Sequence, residues 1–191
     1  FSLKMNYKEP NIKGIYLINL KSLADNRGQM SHHWSNKFFK EKKILFNPRQ
    51  VLNILTKSKG TIRGLHYSFN PHAESKMIIP VTGKMFWVSV DIRRNSETFG
   101  KTFSAILEPF KFSLFATRGF AHGCMSLTDN VNLTIIADNV FSDDHSGGII
   151  WNDIDLKINW PLKTIKSYKI SKKHKKNKTF KEFVESNHTV S

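Results

Sequence analysis

Met77-Ile78-Ile79-Pro80-Val81-Thr82-Gly83, followed by Met85-Phe86-Trp87-Val88-Ser89-Val90-Asp91-Ile92, reads as two strands about a turn. The second run is rich in aromatic and β-branched residues, which suit a pleated, buried surface. Outward from it, Phe103-Ser104-Ala105-Ile106-Leu107 and Lys111-Phe112-Ser113-Leu114-Phe115 alternate or run apolar, and Val131 to Asp138 opens with alternation. Asn95-Ser96, Glu108-Pro109, Arg118-Gly119 and Gly147-Gly148 punctuate the runs as turns. Strands at these intervals predict an all-β sandwich or barrel. Helical signals are short: Ser35 to Lys43, with Phe38 and Phe39 turned inward, and Lys178 to Ser186, with Phe180 and Phe183 on one face. No internal repeat and no interior linker interrupts the chain.

The 191 residues suffice for one domain with a sizeable core, and 39% hydrophobic content with 15 Phe fits a globular protein. No apolar run approaches the roughly 20 residues of a membrane span, so no membrane partner is expected. The single cysteine, Cys124, excludes an internal disulfide framework. No signal-like segment opens the chain, and cytoplasm is the expected compartment. The start at Phe1, with Met5 the first methionine, suggests a missing N-terminus. Net charge is +15. The positive charge concentrates between Lys163 and Lys181, where no acid appears. No nucleic-acid-binding signature accompanies it, so a solvated lysine-rich extension is expected and no nucleic-acid partner.

Two histidines carry candidate chemistry. His66 follows Gly60 and Gly64 and has Arg63 before it and His72, Glu74 and Lys76 after it. An imidazole titrates near neutrality and suits a general base. Cationic and titratable groups clustered on short strands are costly to bury unless something anionic is bound. His122 stands between Gly119 and Gly123, where the backbone can turn tightly. Each histidine alone is also compatible with a structural role.

The segments Asp25-Asn26-Arg27-Gly28, Asn53, Lys59-Gly60-Thr61-Ile62-Arg63-Gly64-Leu65-His66-Tyr67, His72-Ala73 and Lys76 come in a distinctive order. Val90 to Arg93, Ser96 to Gly100, Gly119 to Gly123, Gly147 to Asn152 and Ile158 to Leu162 continue it. Together they resemble the dTDP-4-dehydrorhamnose 3,5-epimerase family. The resemblance implies a cupin-type jelly-roll barrel with short flanking helices, over residues 1–162, with residues 163–191 as a basic C-terminal extension that packs a short helix on the barrel. It implies a substrate that is a nucleotide-diphosphate-linked 4-keto-6-deoxy sugar, epimerised at C3 and C5 through an enolate. It implies His66 as base and Lys76 as stabiliser of the enolate oxygen. Arg27 and Arg63 would hold the diphosphate, Asn53 the nucleotide side, and His122 the sugar. It implies a homodimer in which the segment around Arg27 reaches the neighbouring site, a setting in cell-surface polysaccharide synthesis, and neither cofactor nor metal.

The chain departs from the family at its chemical centre. Where the family has a tyrosine that donates a proton on the opposite face, this chain has Ile135. Where the family has the aspartate that orients the base, Ile170-Ser171-Lys172-Lys173-His174 places His174. Trp87, Val51 and His32 stand at positions that are polar or acidic in relatives. Three functions therefore stay open. One is an epimerase altered in substrate or limited to one carbon. Another is a catalytically silent nucleotide-sugar-binding relative. The third is a metal-dependent cupin using His66, Glu74 and His122 around an iron-type ion, although Ser68 breaks the usual His-x-His pair.

Overall fold

The computed structural model describes residues 6–191, so Phe1 and Met5 lie outside the described residues. The chain is mostly strand. The first sheet orders β1 (Asn6–Lys8), β2 (Ile15–Asn19), β10 (Phe112–Ala116), β7 (Lys76–Thr82), β12 (Val131–Ala137) and β5 (Gln50–Thr56). The second orders β13 (Ser146–Gly148), β6 (Thr61–Ser68), β11 (Phe120–Ser126), β8 (Met85–Asp91) and β9 (Thr102–Leu107), with β14 (Lys169–Ile170) parallel on β6. Outside both lies a hairpin of β3 (Ser22–Asp25) and β4 (Gly28–Ser31). The two sheets face each other as the jelly-roll barrel that the resemblance implied.

Alternation sorts side chains between the inside and the outside. Val131, Leu133 and Ile135 of β12 meet Trp87, Phe120 and Cys124 of the second sheet inside the barrel. The intervening Val88, Val90, Ala121 and Met125 point out of the second sheet. That outer face is no surface, because Ile149, Trp151, Leu156, Trp160, Phe183 and Val190 cover it. The central strands β8 and β11 are thus buried on both sides, which is why Met85 to Ile92 reads as an apolar run rather than an alternating one. The outer face of the first sheet is covered in part by Phe39, Ile44 and Phe46, from and after α1 (Asn36–Glu41).

Two sequence segments owe their character to structure alone. Asp91 is fully buried at the end of β8. Burial pushes its carboxyl up, but hydrogen bonds from Arg93, Ser96 and Thr98 outweigh that and hold it below the ordinary carboxylate range. This hub shapes the Arg93 to Gly100 loop. The second segment is α3 (Phe180–Glu185), which begins with a reciprocal capping box between Thr179 and Glu182. Asp153 Oδ2 accepts from the Phe180 N–H at 2.7 Å, and Arg94 donates to the Val184 carbonyl at 2.8 Å. The lysines between 163 and 181 remain exposed, while Phe183 on the same segment is buried. Among the described residues, no helix is long and apolar enough to cross a membrane.

Because Phe183 fills a fully enclosed space, Phe183→Ala is expected to lower the unfolding free energy by about 3–5 kcal/mol, read from urea denaturation followed by tryptophan fluorescence.

Candidate functional site

The site begins with a close approach of backbone. Gly64 of β6 has φ +98°, and a Cβ there would collide with the His122 carbonyl oxygen and Gly123. The glycine lets β6 and β11 pair with His66 directly opposite His122. Paired residues of neighbouring strands share a face, so both imidazoles point into the barrel. A cavity of about 580 Å³ opens there.

Its second-sheet wall presents Arg63, His66, Trp87, His122 and Cys124, and its first-sheet wall Gln50, Leu52, Ile54, Leu133, Ile135 and Lys76. Glu74, Ser68, Phe141, Asp143, Gly147, Lys173, His174 and Asn177 complete the rim and floor. Arg63, Lys76 and Lys173 outnumber the two carboxylates, so the interior suits an anion.

β14 and α2 (Lys172–Lys175) bring His174 to the base. Its Nε2 lies 2.7 Å from His66 Nε2, with the rings edge-on at 4.4 Å between centroids. Ser171 Oγ accepts from the His174 N–H and fixes the start of α2. In such a contact one imidazole donates and the other accepts. His66 keeps an accessible face, and that face looks into the cavity. Burial, and then the charges of His174, Lys76, Lys173 and Arg63, hold the His66 imidazole down to about 3. Burial and then Arg63 and Lys173 also lower His174. His122 is enclosed, with Nδ1 3.1 Å from Ser89 Oγ, and burial keeps it well below the usual imidazole range. All three rings are therefore neutral near pH 7. Cys124 is also enclosed, and burial pushes its thiol up to about 12, so it offers no thiolate.

Lys76 projects from β7 on the opposite wall, its Nζ 3.0 Å from Glu74 Oε1. Ile135 also faces the cavity, in register with Leu52 and Ile78, so an apolar side chain occupies that place on the wall. Among the expected residues, the structure gathers Arg63, His66, Lys76, His122, Ile135 and His174 around one cavity. It does not bring Asn53 or Arg27 there. Asn53 alternates outward from Leu52 and Ile54 and accepts from Thr134 Oγ1 at 2.7 Å. Arg27 sits exposed at the β3–β4 turn, 2.6 Å from Asp25. Val51 likewise points outward and is exposed, while Gln50 faces in. Gln50, Lys173 and Asn177 were not legible as lining residues. Glu74 is occupied by Lys76, and among the described residues no three His, Cys, Asp or Glu side chains converge as metal ligands.

A family model described as dTDP-4-dehydrorhamnose 3,5-epimerase matches residues 9–182. The dTDP-4-dehydrorhamnose 3,5-epimerase of Shigella flexneri is 35% identical over 163 residues, 83% of this chain and 88% of its own. The crystal structure of that enzyme from Bacillus anthracis str. Ames, with TDP and PPi bound, has TM-score 0.86 at 30% identity, covering 92% of this chain and 99% of that one. The dTDP-6-deoxy-D-glucose-3,5-epimerase of Legionella pneumophila Philadelphia 1, in complex with dTDP-4-keto-L-rhamnose, has TM-score 0.86 at 28% identity, covering 92% and 93%.

The His66–His174 contact generates a pH prediction. Between the ordinary imidazole value of 6.5 and about 3, the unfolded chain holds a proton on His66 that the folded protein lacks. The His66 contribution to stability is therefore lost as pH falls through that window. His174→Asp replaces a neighbour that lowers His66 with one that raises it, so the His66 titration should climb from about 3 toward neutrality, as followed by 15N NMR of the imidazole.

Proposed function

The chain belongs to the dTDP-4-dehydrorhamnose 3,5-epimerase family, and on that premise we propose that it is an isomerase acting on a dTDP-linked 4-keto-6-deoxy sugar. One observation carries the reading: a single cavity presents a neutral imidazole, His66, on one wall and an ammonium, Lys76, on the other. The ketone at C4 acidifies the hydrogens on C3 and C5. His66 takes one of these protons, and the electron pair moves onto the ketone oxygen. A fixed cation at that oxygen stabilises the enolate more than the ketone, which is the condition for faster chemistry. Lys76 is placed to supply it. Arg63, held by Thr56 Oγ1 at 3.2 Å, is the guanidinium available to the diphosphate. His122, enclosed and neutral, packs on the sugar side.

His174 takes the partner's place beside the base, so residues 163–191 act here as a working extension of the barrel domain 1–162. Ile135 favours inversion at one carbon over two. The enzyme is read as a homodimer working in polysaccharide synthesis. Leu23 and Met30 of the projecting hairpin and Val51 and Leu55 on the edge strand β5 are exposed apolar surface that a second copy would cover. In such a pair, Arg27 and Asn53 serve a site shared between subunits. Sedimentation velocity should give twice the chain mass, and a monomer would remove that role from Arg27.

The activity test is hydrogen exchange. Incubation with dTDP-4-keto-6-deoxyglucose in deuterated water should show deuterium entering at C3 or C5 by proton NMR, and His66→Asn should abolish it. Binding without exchange, across dTDP-, GDP- and CDP-linked sugars, would instead identify a silent relative. The apolar Ile135 is the observation that favours that second reading.

A further inference from the structure

The cavity holds a carboxylate with no part in the chemistry above. Glu74 is buried, and both of its oxygens are engaged. Oε1 lies 3.0 Å from Lys76 Nζ and accepts from Ser68 Oγ at 2.9 Å, while Oε2 accepts from Gln50 Nε2 at 3.2 Å. Gln50 is itself held, since its Oε1 accepts from the Phe141 N–H at 3.4 Å. A buried ion pair stabilises little by itself, but removing one partner of a hydrogen-bonded pair is costly. The network therefore confines a long, flexible ammonium side chain to one place on the wall.

Inversion demands two proton carriers on opposite faces of the carbon. His66 on β6 belongs to the second sheet, so a side chain that returns the proton on the other face stands on the first. Along that sheet the apolar wall is Leu52, Ile54, Leu133 and Ile135, none of which carries an exchangeable proton. The Gln50 amide does not titrate near neutrality, and the Glu74 carboxylate is already an acceptor for three donors. Lys76 is the remaining acid on that face.

We propose that Lys76, held by Glu74 as its positioning residue, delivers the proton to the enolate on the face opposite His66. The proposal rests on the epimerase reading. In the first half-reaction the C–H bond breaks, its proton goes to His66 and its electron pair to the C4 oxygen. In the second, the enolate pair forms a C–H bond to a proton from Lys76 Nζ, and the ketone returns. His66 is left as imidazolium and Lys76 as amine, and exchange with water restores both. No oxidant or reductant enters.

The test separates the two half-reactions. The full chain is incubated with dTDP-4-keto-6-deoxyglucose in deuterated water, and exchange with retention is measured beside inversion. Glu74→Gln keeps hydrogen-bonding atoms toward Ser68 and Gln50 but releases Lys76. Exchange slows to the extent that Lys76 also stabilises the enolate, so the reading is the ratio of inversion to exchange with retention, which should fall by about tenfold or more. Adding Ile135→Tyr to Glu74→Gln puts a phenol on the same wall and should restore inversion. A parallel fall of both rates, or unchanged inversion, overturns the proposal. If Glu74→Gln fails to fold by circular dichroism, Glu74→Asp, which keeps the charge and shortens the reach, must show the same split in smaller degree. A wild-type protein silent in both measurements overturns the epimerase reading itself, and the proposal with it.

Discussion

The rest of the structure hangs on how closely β6 lies against β11. Only a residue without a Cβ can occupy position 64 at that distance from the His122 carbonyl. This contact sets His66 opposite His122 and leaves the other edge of β6 free. β13 and β14 take that edge, antiparallel and parallel in turn. Through them one strand receives the glycines of the cavity floor and the helix that carries His174. A substitution at Gly64 would therefore disturb not one side chain but the alignment of the whole wall.

Burial and charge together decide what kind of base this wall provides. A carboxylate partner would stabilise an imidazolium, whereas burial first, and then His174, Lys76, Lys173 and Arg63, oppose one. His66 is in consequence available as a neutral acceptor across the physiological range but weakly driven to accept. On the proposed function, a diphosphate entering beside Arg63 would supply negative charge to the same interior. The substrate would then relieve part of the repulsion, in the place of a dedicated aspartate.

Much of this was legible in the sequence, for physical reasons that differ by residue. The barrel could be read because β-branched and aromatic runs recur with turn residues between them, and β12 alternates cleanly. His66, Lys76 and His122 could be read because their chemistry is rare on short strands. The pairing at His174 was legible only as a position in a motif. Its 2.7 Å contact depends on β14 docking parallel to β6, a long-range event with no local signal. β5 was harder, since Val51, Leu52, Ile54 and Leu55 are apolar on both faces and hide the phase of alternation. That ambiguity concealed Gln50 while drawing notice to Val51. Glu74 could be seen as an acid near Lys76, but its role as a hub requires Ser68, Gln50 and the loop at Phe141 to converge.

The placement of His174 has a consequence for how the protein comes into being. The barrel walls, both histidines of β6 and β11, and Lys76 are all translated before β14 and α2. A growing chain thus holds every strand of the two barrel walls while the partner of its base, and the Phe183 and Val190 that cover the second sheet, are still unmade. Competence arrives late in synthesis, when the segment from Lys169 onward folds back onto β6. Nascent chains and prematurely stopped messages would share the same lack: no imidazole beside His66, and no Phe183 or Val190 over the second sheet. Completion of the polypeptide is in this way checked by the chemistry it permits.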